Sequence, residues 1–257
     1  MLPFEDETSL SMLFHLNSEP WLNTDLDAVY EVEYKEFSTA LSELALPEPP
    51  KTVLTRLGRE RASCRAFAMK RLPLSYLSAI LWGSYGISRT DRTLLSGSLA
   101  LLRPVPSAGA LFPLEIYVLT QRVEGLSNGL HHYNVRHHSL ETLEEGAVFQ
   151  RFEPALYMFD AVRNANAILF LSAVFERNQK KYGPRGYRYI LLEAGHIAQN
   201  VCLLSAESSL GSLCMGGYAD RELNCLLGLQ PRKEGVVYCV AIGWPASLGS
   251  KDSTRNA

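Results

Sequence analysis

The residues best suited to chemistry in this chain are a lysine and a tyrosine that stand side by side at a turn. Lys181 and Tyr182 precede the turn residues Gly183 and Pro184, and a long apolar segment follows from Tyr187. An amine placed in a half-apolar cleft has a lowered pKa and can remove a proton, and the phenol beside it can donate or accept a hydrogen bond. We take Lys181 and Tyr182 as the candidate catalytic pair. The alternative interpretation is a solvated basic turn with packing tyrosines.

A second candidate group is the segment R-x-S-x-R, which contains Arg61, Ser63 and Arg65. In an extended chain every second side chain points to the same face, so these three would share one surface. Two guanidinium groups with a hydroxyl between them suit a phosphate and a polyhydroxyl chain. An exposed basic strand edge is the alternative for this segment.

Two segments of small residues could bring backbone close to a ligand. The first is bracketed by prolines, so it is stiff, and its candidate contacts are Pro106, Ser107, Ala108 and Gly109. The second, Gly211 to Gly217, is a predicted glycine-rich loop that could point an N–H at a flat heteroaromatic ring, and its candidate contacts are Met215, Gly216 and Gly217. The alternatives are a turn-rich connector for the first segment and a helix C-cap at Gly211 for the second.

Several other functions are disfavoured by missing motifs. The chain has no glycine-rich Rossmann fingerprint, no phosphate-binding P-loop and no G-x-S-x-G hydrolase motif. His131, His132, His137 and His138 cluster in a predicted hairpin, but no ligand spacing completes a metal site, so we expect a solvated hairpin and no metal. His196, in the apolar helix, is expected to be a core histidine.

Composition limits the class of protein. The 257 residues are 47% hydrophobic and 20% charged with a net charge of −2, which indicates a globular protein and disfavours a nucleic-acid binder. Five cysteines without a C-x-x-C pair predict reduced thiols. The acidic N-terminus is unlike a secretory signal, and the longest apolar run, Ala167 to Phe175, is too short to span a membrane. We therefore expect a cytoplasmic protein with no membrane contact.

The chain divides into three predicted parts. Residues 1–50 carry eleven acidic side chains and one lysine, and they end in a Pro-rich linker. Residues 51–246 form the main domain, and residues 247–257 form a disordered tail. The main domain is expected to be α+β, because strands and helices do not alternate regularly. Its predicted helices are 73–83, 187–210 (buried all round) and 220–227; its strands are 115–120, 130–143 as a hairpin, 167–174 and 236–242; and 89–103 is a polar loop.

The order of these segments resembles the FMN-dependent nitroreductase superfamily: R-x-S-x-R, then P-S-A-G-A-L-F-P-L-E, then a glycine-rich loop after a long helix. The amino-acid sequence of four segments is similar to that of one branch, the SagB/ThcOx-type azoline dehydrogenases. That similarity lies in F-H-L-N-S at 14–18, L-W-G-S-Y-G at 81–86, G-L-H-H-Y at 129–133 and KYGPRGYRYILLEAGHIAQN at 181–200.

The resemblance implies a mixed, mainly antiparallel sheet flanked by helices, in a domain-swapped homodimer with FMN at each end of the interface. Arg61, Ser63 and Arg65 would take the flavin phosphate, ribityl chain and pyrimidine edge. Pro106 to Gly109 would contact the flavin from the partner chain, and Met215, Gly216 and Gly217 would lie by the ring, with one amide near N5.

The implied reaction is oxidation of a thiazoline or oxazoline in a peptide to the aromatic azole. The hydride goes to flavin N5 and the proton to the Lys181–Tyr182 pair, and O₂ reoxidises the flavin. The substrate is either a ribosomal peptide or a nonribosomal intermediate tethered to a carrier protein, with a cyclodehydratase or peptide synthetase as partner. Two other functions stay open: an NAD(P)H-dependent nitro- or enone-reductase, and a non-catalytic scaffold subunit.

One departure from the superfamily concerns the C-terminal end. Many members carry a basic residue there that reaches the phosphate, but Gly243-Trp244-Pro245 is followed by no basic residue until Lys251. We therefore expect phosphate binding to depend on Arg61 and Arg65.

Overall fold

The computed structural model describes residues 10–18, 34–35, 39, 41–42, 44–93 and 99–246. Seven α-helices lie within this part of the chain. They are α1 (Leu10–Asn17), α2 (Val53–Glu60), α3 (Leu74–Tyr85), α4 (Phe159–Val162), α5 (Phe175–Tyr182), α6 (Arg185–Glu207) and α7 (Asp220–Leu226). The predicted disordered tail lies outside the described residues, as does most of the acidic N-terminal segment. Among the described helices, none is both long and apolar enough to cross a membrane.

A six-stranded sheet forms the centre of the described chain, and all of its strand pairs are antiparallel. Its spatial order is β7-β6-β4-β8-β10-β9. The described strands are β1 (Leu72–Pro73), β2 (Arg89–Thr93), β3 (Leu99–Leu102), β4 (Leu114–Thr120), β5 (Val123–Glu124), β6 (Gly129–Asn134), β7 (Ser139–Glu145), β8 (Ala167–Val174), β9 (Gly211–Met215) and β10 (Glu234–Gly243). The prediction of an α+β fold with a mainly antiparallel sheet flanked by helices is confirmed, and the parallel pair of β1 with β5 forms a separate two-stranded sheet.

Sequence pattern explains the place of each strand in the sheet. All but the last residue of β8 are fully buried, since the strand is covered on both faces and paired on both edges. A continuous apolar run is typical of such a strand. In contrast, β7 is mainly polar, with Leu140 and Leu143 as its two apolar residues, and it lies mostly exposed at one edge.

Helices cover both faces of the sheet. One layer contains α3 and α6, whose apolar faces pack with Val118 of β4 and Leu169 of β8. The other layer contains the 3₁₀ segment Phe149–Ala155 with α4 and α7, which pack on the opposite side chains of the same strands, including Ile168 and Phe170. At roughly 25 cal/mol per Å² of apolar area, these two cores supply most of the stability of the fold.

Three local predictions were wrong. Within the expected polar loop 89–103, β2 and β3 pair as an antiparallel hairpin. The expected glycine-rich loop begins as the strand β9, because its backbone pairs with β10 from Gly211 to Met215. The helix predicted to be buried all round has one exposed face, which includes Leu191, Leu192 and His196.

The short helix α1 packs on α5 and α6. His15 is buried, shares a hydrogen bond of 3.1 Å with the Tyr187 hydroxyl and lies edge-on to the ring of Phe175. The Gln179 amide donates to Ser11 at 2.8 Å. Part of the acidic N-terminal segment is therefore attached to the helix that ends at Tyr182.

Candidate active site

The candidate catalytic pair occupies the last turn of α5. We expected a loop, but Lys181 and Tyr182 are helical, and Gly183 with φ +57° ends the helix by donating its N–H to Gln179 O at 2.8 Å. The ring of Tyr182 lies edge-on to that of Tyr189 on α6, with centroids 5.1 Å apart. This contact joins the two helices beside the pair.

The structure brings the proline-bracketed loop to the same place. A Cβ built on Gly109 would lie 2.7 Å from Tyr182 Oη and 3.0 Å from Lys181 Nζ, and Gly109 has φ +67°. The left-handed backbone favours glycine here, and a Cβ would displace the ends of both side chains. The sequence separates Gly109 from the pair by more than seventy residues, so only the tertiary structure shows that they form one site.

The loop around Gly109 is strained and internally bonded. Ala110 and Phe112 also have positive φ, at +53° and +44°, a conformation that costs on the order of 1 kcal/mol or more for a residue with a Cβ. Ser107 holds the turn, because its Oγ accepts from Phe112 N–H at 3.0 Å and its carbonyl accepts from Ala110 N–H at 3.0 Å. Pro106 is exposed and Ala108 half-buried at the open side.

Beneath this loop lies a buried carboxyl that the sequence reasoning missed. Glu193 of α6 is 2% exposed and accepts the Tyr85 hydroxyl proton at 2.8 Å, while Tyr85 Oη accepts from Leu114 N–H at 3.2 Å. Burial raises the pKa of Glu193, and the Ser107 hydroxyl and the Arg103 cation oppose this rise. An acidic residue within an apolar helical stretch was the signal that could have revealed it.

The R-x-S-x-R segment extends the sheet edge. Ser63 bridges in parallel to Ser212 of β9, and Cys64 N–H donates to Ser212 O at 2.9 Å. Arg61 caps α2, donating its N–H to Leu57 O at 2.9 Å. Over the described residues, neither Arg61 nor Arg65 forms an ion pair with a carboxylate. These cations are therefore available to an anion.

Two thiols meet next to Arg61. Cys202 Sγ of α6 lies 3.5 Å from Cys214 Sγ of β9. The hydrogen bond from the Cys214 thiol lowers the pKa of Cys202 to about 6 against the opposing effect of burial, with smaller help from Ser212 and Arg61. The same hydrogen bond, with burial, raises the pKa of Cys214. The proton of the pair therefore stays on Cys214.

The segment at the end of β9 divides between the two faces of the sheet. The Met215 side chain is buried in the layer of α4 and α7, so only its backbone could contact a ligand on the other side. Gly216 is exposed, and a Cβ there would lie 3.9 Å from the Tyr238 ring; at Gly217 it would lie 3.5 Å from the Tyr157 ring. Either glycine leaves its backbone open to close approach.

The predicted site residues form two groups at different heights along α6. Tyr182 and Gly109 lie at Tyr189, near its N-terminus, while the Arg61 segment lies at Cys202, near its C-terminus. Thirteen residues separate Tyr189 from Cys202, which at 1.5 Å per residue is about 20 Å. No described hydrogen bond, ion pair or ring contact joins Lys181 or Tyr182 directly to the Arg61 segment.

The histidines differ from expectation in their surroundings. His131 is fully buried and hydrogen-bonded to Thr120 and Thr142, so the predicted solvated hairpin was wrong at this position. His132 lies between Glu115 and Glu141, and its hydrogen bond to Glu115 is the main cause of its raised pKa. His196 was expected in the core but is exposed. In the part of the chain that is described, no histidine, cysteine and carboxylate cluster could hold a metal ion.

The donor set at the sheet edge fits FMN. Within the described part of the chain, the guanidinium groups of Arg61 and Arg65 have no carboxylate partner and the Ser63 hydroxyl between them in sequence has no hydrogen bond, and such donors suit a phosphate and a ribityl chain. Together with the antiparallel sheet between two helical layers, this donor set fits an α+β fold of the flavin-binding kind.

The chain belongs to the nitroreductase family, since the profile of that family matches residues 59–244. A nitroreductase homologue of Methanocaldococcus jannaschii, MJ1384, is 33% identical over 188 residues, which are 73% of this chain and 90% of the homologue. The trifolitoxin-processing protein TfxB of Rhizobium leguminosarum bv. trifolii is 28% identical over 217 residues. That alignment covers 74% of this chain and 58% of TfxB.

Solved structures share the fold. The Escherichia coli microcin synthetase McbBCD, bound to truncated pro-MccB17, matches with a TM-score of 0.64 and 22% identity over 84% of this chain and 80% of the other. A nitroreductase-type protein of Desulfovibrio desulfuricans in complex with FMN matches with a TM-score of 0.53 and 18% identity over 81% and 94%. At these identities the similarity concerns the fold alone.

Proposed function

We propose that this protein is an FMN-dependent azoline dehydrogenase of the SagB/ThcOx type, which oxidises a thiazoline or oxazoline in a peptide to the azole. The observation that carries the proposal is the contact of Gly109 with both Lys181 Nζ and Tyr182 Oη. A primary amine in its neutral form can accept a proton from a substrate, and the phenol beside it can hydrogen-bond to the amine or to the substrate. When bound, FMN would supply the hydride acceptor for the same reaction.

In this proposal the sheet-edge residues bind the cofactor. Arg61 and Arg65 neutralise the phosphate and Ser63 bonds the ribityl chain. The backbone at Gly216 and Gly217, with Met215, lies by the ring. The loop residues Pro106, Ser107, Ala108 and Gly109 close the site from the side of the catalytic pair. The Lys181–Tyr182 pair takes the substrate proton.

We further propose that a second copy of the chain completes each site. The two groups of site residues lie about 20 Å apart along α6, and its outer face exposes Leu191 and Leu192, at 38% and 56%. A described groove of about 510 Å³, lined by Tyr117, His132 and Glu141 among others, contains none of the predicted site residues. A site shared between two copies accounts for both observations.

The names of two relatives support a peptide as the substrate. TfxB is a processing protein for trifolitoxin, and McbBCD is a microcin synthetase solved with a pro-peptide. We propose that this chain likewise acts on a peptide, delivered by a synthetase or cyclodehydratase partner.

A second candidate function is reduction of nitro compounds or enones with NAD(P)H. The similarity to MJ1384, which spans 90% of that nitroreductase homologue, favours it. The Lys181–Tyr182 pair disfavours it, because hydride transfer from NAD(P)H needs no such base.

The test is the visible spectrum of the purified protein under argon. Flavin bands that bleach on addition of a thiazoline peptide, but not with NADPH, would support the dehydrogenase. Rapid bleaching by NADPH alone would support the reductase.

Lys181→Ala should keep bound FMN and lose turnover, with Lys180→Ala as the control, because Lys180 pairs with Glu176 on the exposed side of α5. Joint loss of flavin and activity in Lys181→Ala would make Lys181 structural.

A further inference from the structure

The buried carboxyl of Glu193 has no role in the reaction proposed above, although it lies beneath the loop that approaches the catalytic pair. It is on α6 one helical turn after Tyr189, whose ring packs against Tyr182. Its second oxygen, Oε2, has no hydrogen-bond partner among the described residues. A buried polar atom without a hydrogen-bond partner destabilises the folded state, so the carboxyl at position 193 needs an explanation other than stability.

Glu193 is connected to the strained loop by several routes. Tyr85 donates its hydroxyl proton to Glu193 and accepts the Leu114 N–H, which lies just after the loop. Ser107 faces the carboxyl from within the loop, and because its Oγ already accepts from Phe112 N–H, its own proton is free to point towards Glu193. The Glu193 side chain therefore interacts with both ends of the loop, with Ser107 near its beginning and, through Tyr85, with Leu114 just after its end.

The cation of Arg103 reinforces this arrangement. Its guanidinium lies 3.9 Å from the centroid of the Tyr85 ring and 4.7 Å from that of Phe112, and its charge favours the ionised form of Glu193. A cation over two aromatic faces is held in place by both. The loop is therefore fixed between α6 beneath it and a stacked cation beside it.

We infer that Glu193 is a positioning residue for the Lys181–Tyr182 pair. Through Tyr85 and Ser107 it holds the loop in its strained backbone, and the loop places Gly109 against Lys181 Nζ and Tyr182 Oη. Without the carboxyl, relief of the positive φ angles at Ala110 and Phe112 moves Gly109 away from the pair. The contact is geometric and needs no bound cofactor, whereas its consequence for turnover rests on the function proposed above.

The first test measures the contact in the protein without substrate. Lysines are acetylated with a limiting amount of acetic anhydride and located by mass spectrometry, and the rate at Lys181 is divided by the rate at its neighbour Lys180. Glu193→Leu should raise this ratio at least threefold, because Gly109 moves away from Lys181 Nζ and leaves it more accessible to the reagent. Glu193→Gln keeps an acceptor for Tyr85 and should stay within twofold of the wild type.

A control variant separates positioning from general loss of stability. Val201 is fully buried on the same helix and is not part of the loop contacts, so Val201→Ala lowers the melting temperature without touching Glu193. Its labelling ratio should equal that of the wild type. An unchanged ratio in Glu193→Leu, a raised ratio in Val201→Ala, or equal ratios in the Gln and Leu variants would each overturn the inference.

The second test uses turnover. Glu193→Leu should lower kcat at least tenfold with KM changed less than threefold, because the pair is misplaced but the binding surface remains, and Glu193→Gln should restore most of kcat. A rise in KM with unchanged kcat would overturn the inference. If the labelling ratio changes as expected but the wild-type protein oxidises no azoline, the positioning stands and the proposed function fails.

Discussion

The Cα of Gly109 lies so close to the phenol of Tyr182 that a Cβ at this position would come within 2.7 Å of Oη. The loop and the end of α5 therefore lie against each other, although they are far apart in the sequence. This contact makes the loop backbone part of the candidate active site.

Replacement of this glycine should damage both stability and activity. Gly109→Ala adds a Cβ that meets Tyr182 and Lys181 and must adopt φ +67°, so we expect a loss of about 1–2 kcal/mol in the free energy of unfolding and a large loss of turnover. Chemical denaturation and steady-state kinetics measure the two effects. Gly125→Ala is a matched control, because Gly125 has φ +73° but open space around it. Equal loss of turnover in both variants would contradict the specific role of the contact.

The docking of α1 should depend on pH through His15. Burial lowers the pKa of His15 from 6.5 to about 4, so between these values the unfolded chain binds more protons than the folded one. Stability should therefore fall as pH drops from about 6.5 to 4, by at most ~3 kcal/mol, since each pKa unit corresponds to about 1.4 kcal/mol. Hydrogen exchange of α1 against pH measures this loss. His15→Asn should lose this pH dependence, and an identical pH profile in the variant would refute the assignment.

The Cys202–Cys214 contact predicts one thiolate near neutral pH. The far-ultraviolet thiolate absorbance should titrate with a midpoint below that of an ordinary cysteine thiol, and this step should vanish in Cys202→Ser. Cys214→Ala should move the midpoint upward, because the Cys214 thiol donates the hydrogen bond that stabilises the Cys202 thiolate. Cys225→Ser, at an exposed cysteine, serves as the control and should leave the step in place. A step that persists in Cys202→Ser would assign the thiolate elsewhere.

Cofactor affinity should depend on the cations of the R-x-S-x-R segment. We expect Arg61→Ala and Arg65→Ala each to weaken FMN binding at least tenfold, since each removes a charge-assisted contact to the phosphate. The quenching of flavin fluorescence on binding gives Kd. The change Arg59→Ala, at an exposed arginine inside α2, should leave Kd within twofold. Equal effects of all three substitutions would indicate general electrostatic attraction instead of a phosphate site.

The exposed face of α6 should control assembly. Leu192→Asp places a charge on the apolar surface proposed to meet a second copy, so we expect the dimer to dissociate and FMN binding to weaken with it. Light scattering after gel filtration measures the mass. Leu143→Asp is the control, because Leu143 is similarly exposed but lies on the edge strand β7. A wild-type protein that is monomeric with a complete FMN site would contradict the proposal.

Local pattern predicted much of the fold because it reflects the burial of neighbouring residues. The uninterrupted apolar run at 167–174 predicted a central strand, and β8 is the central strand next to β4 and β10. The hairpin of β6 and β7 and the short helix α7 were also predicted close to their observed bounds. Each of these elements has a periodicity that its own residues determine.

Contacts between segments distant in sequence determined those structural features that the local sequence pattern did not predict. The residues from Gly211 to Met215 form a strand because β10 supplies hydrogen-bond partners. A side chain at Gly211 would clash with a residue distant in sequence, since its Cβ would lie 2.5 Å from Cys64 Sγ. His196 is exposed because α6 buries only one face, although its sequence is apolar nearly all round. Neither fact follows from residues close in sequence.

By itself the sequence determined the candidate groups of the site: the Lys181–Tyr182 pair, the R-x-S-x-R segment and the loop that contains Gly109. Residue type and spacing suffice for this, since they fix which chemistry a segment can perform. Only the tertiary structure decided that Gly109 touches the pair and that Glu193 lies beneath the loop. These contacts join residues dozens of positions apart, and they arise when helices and strands pack into one core.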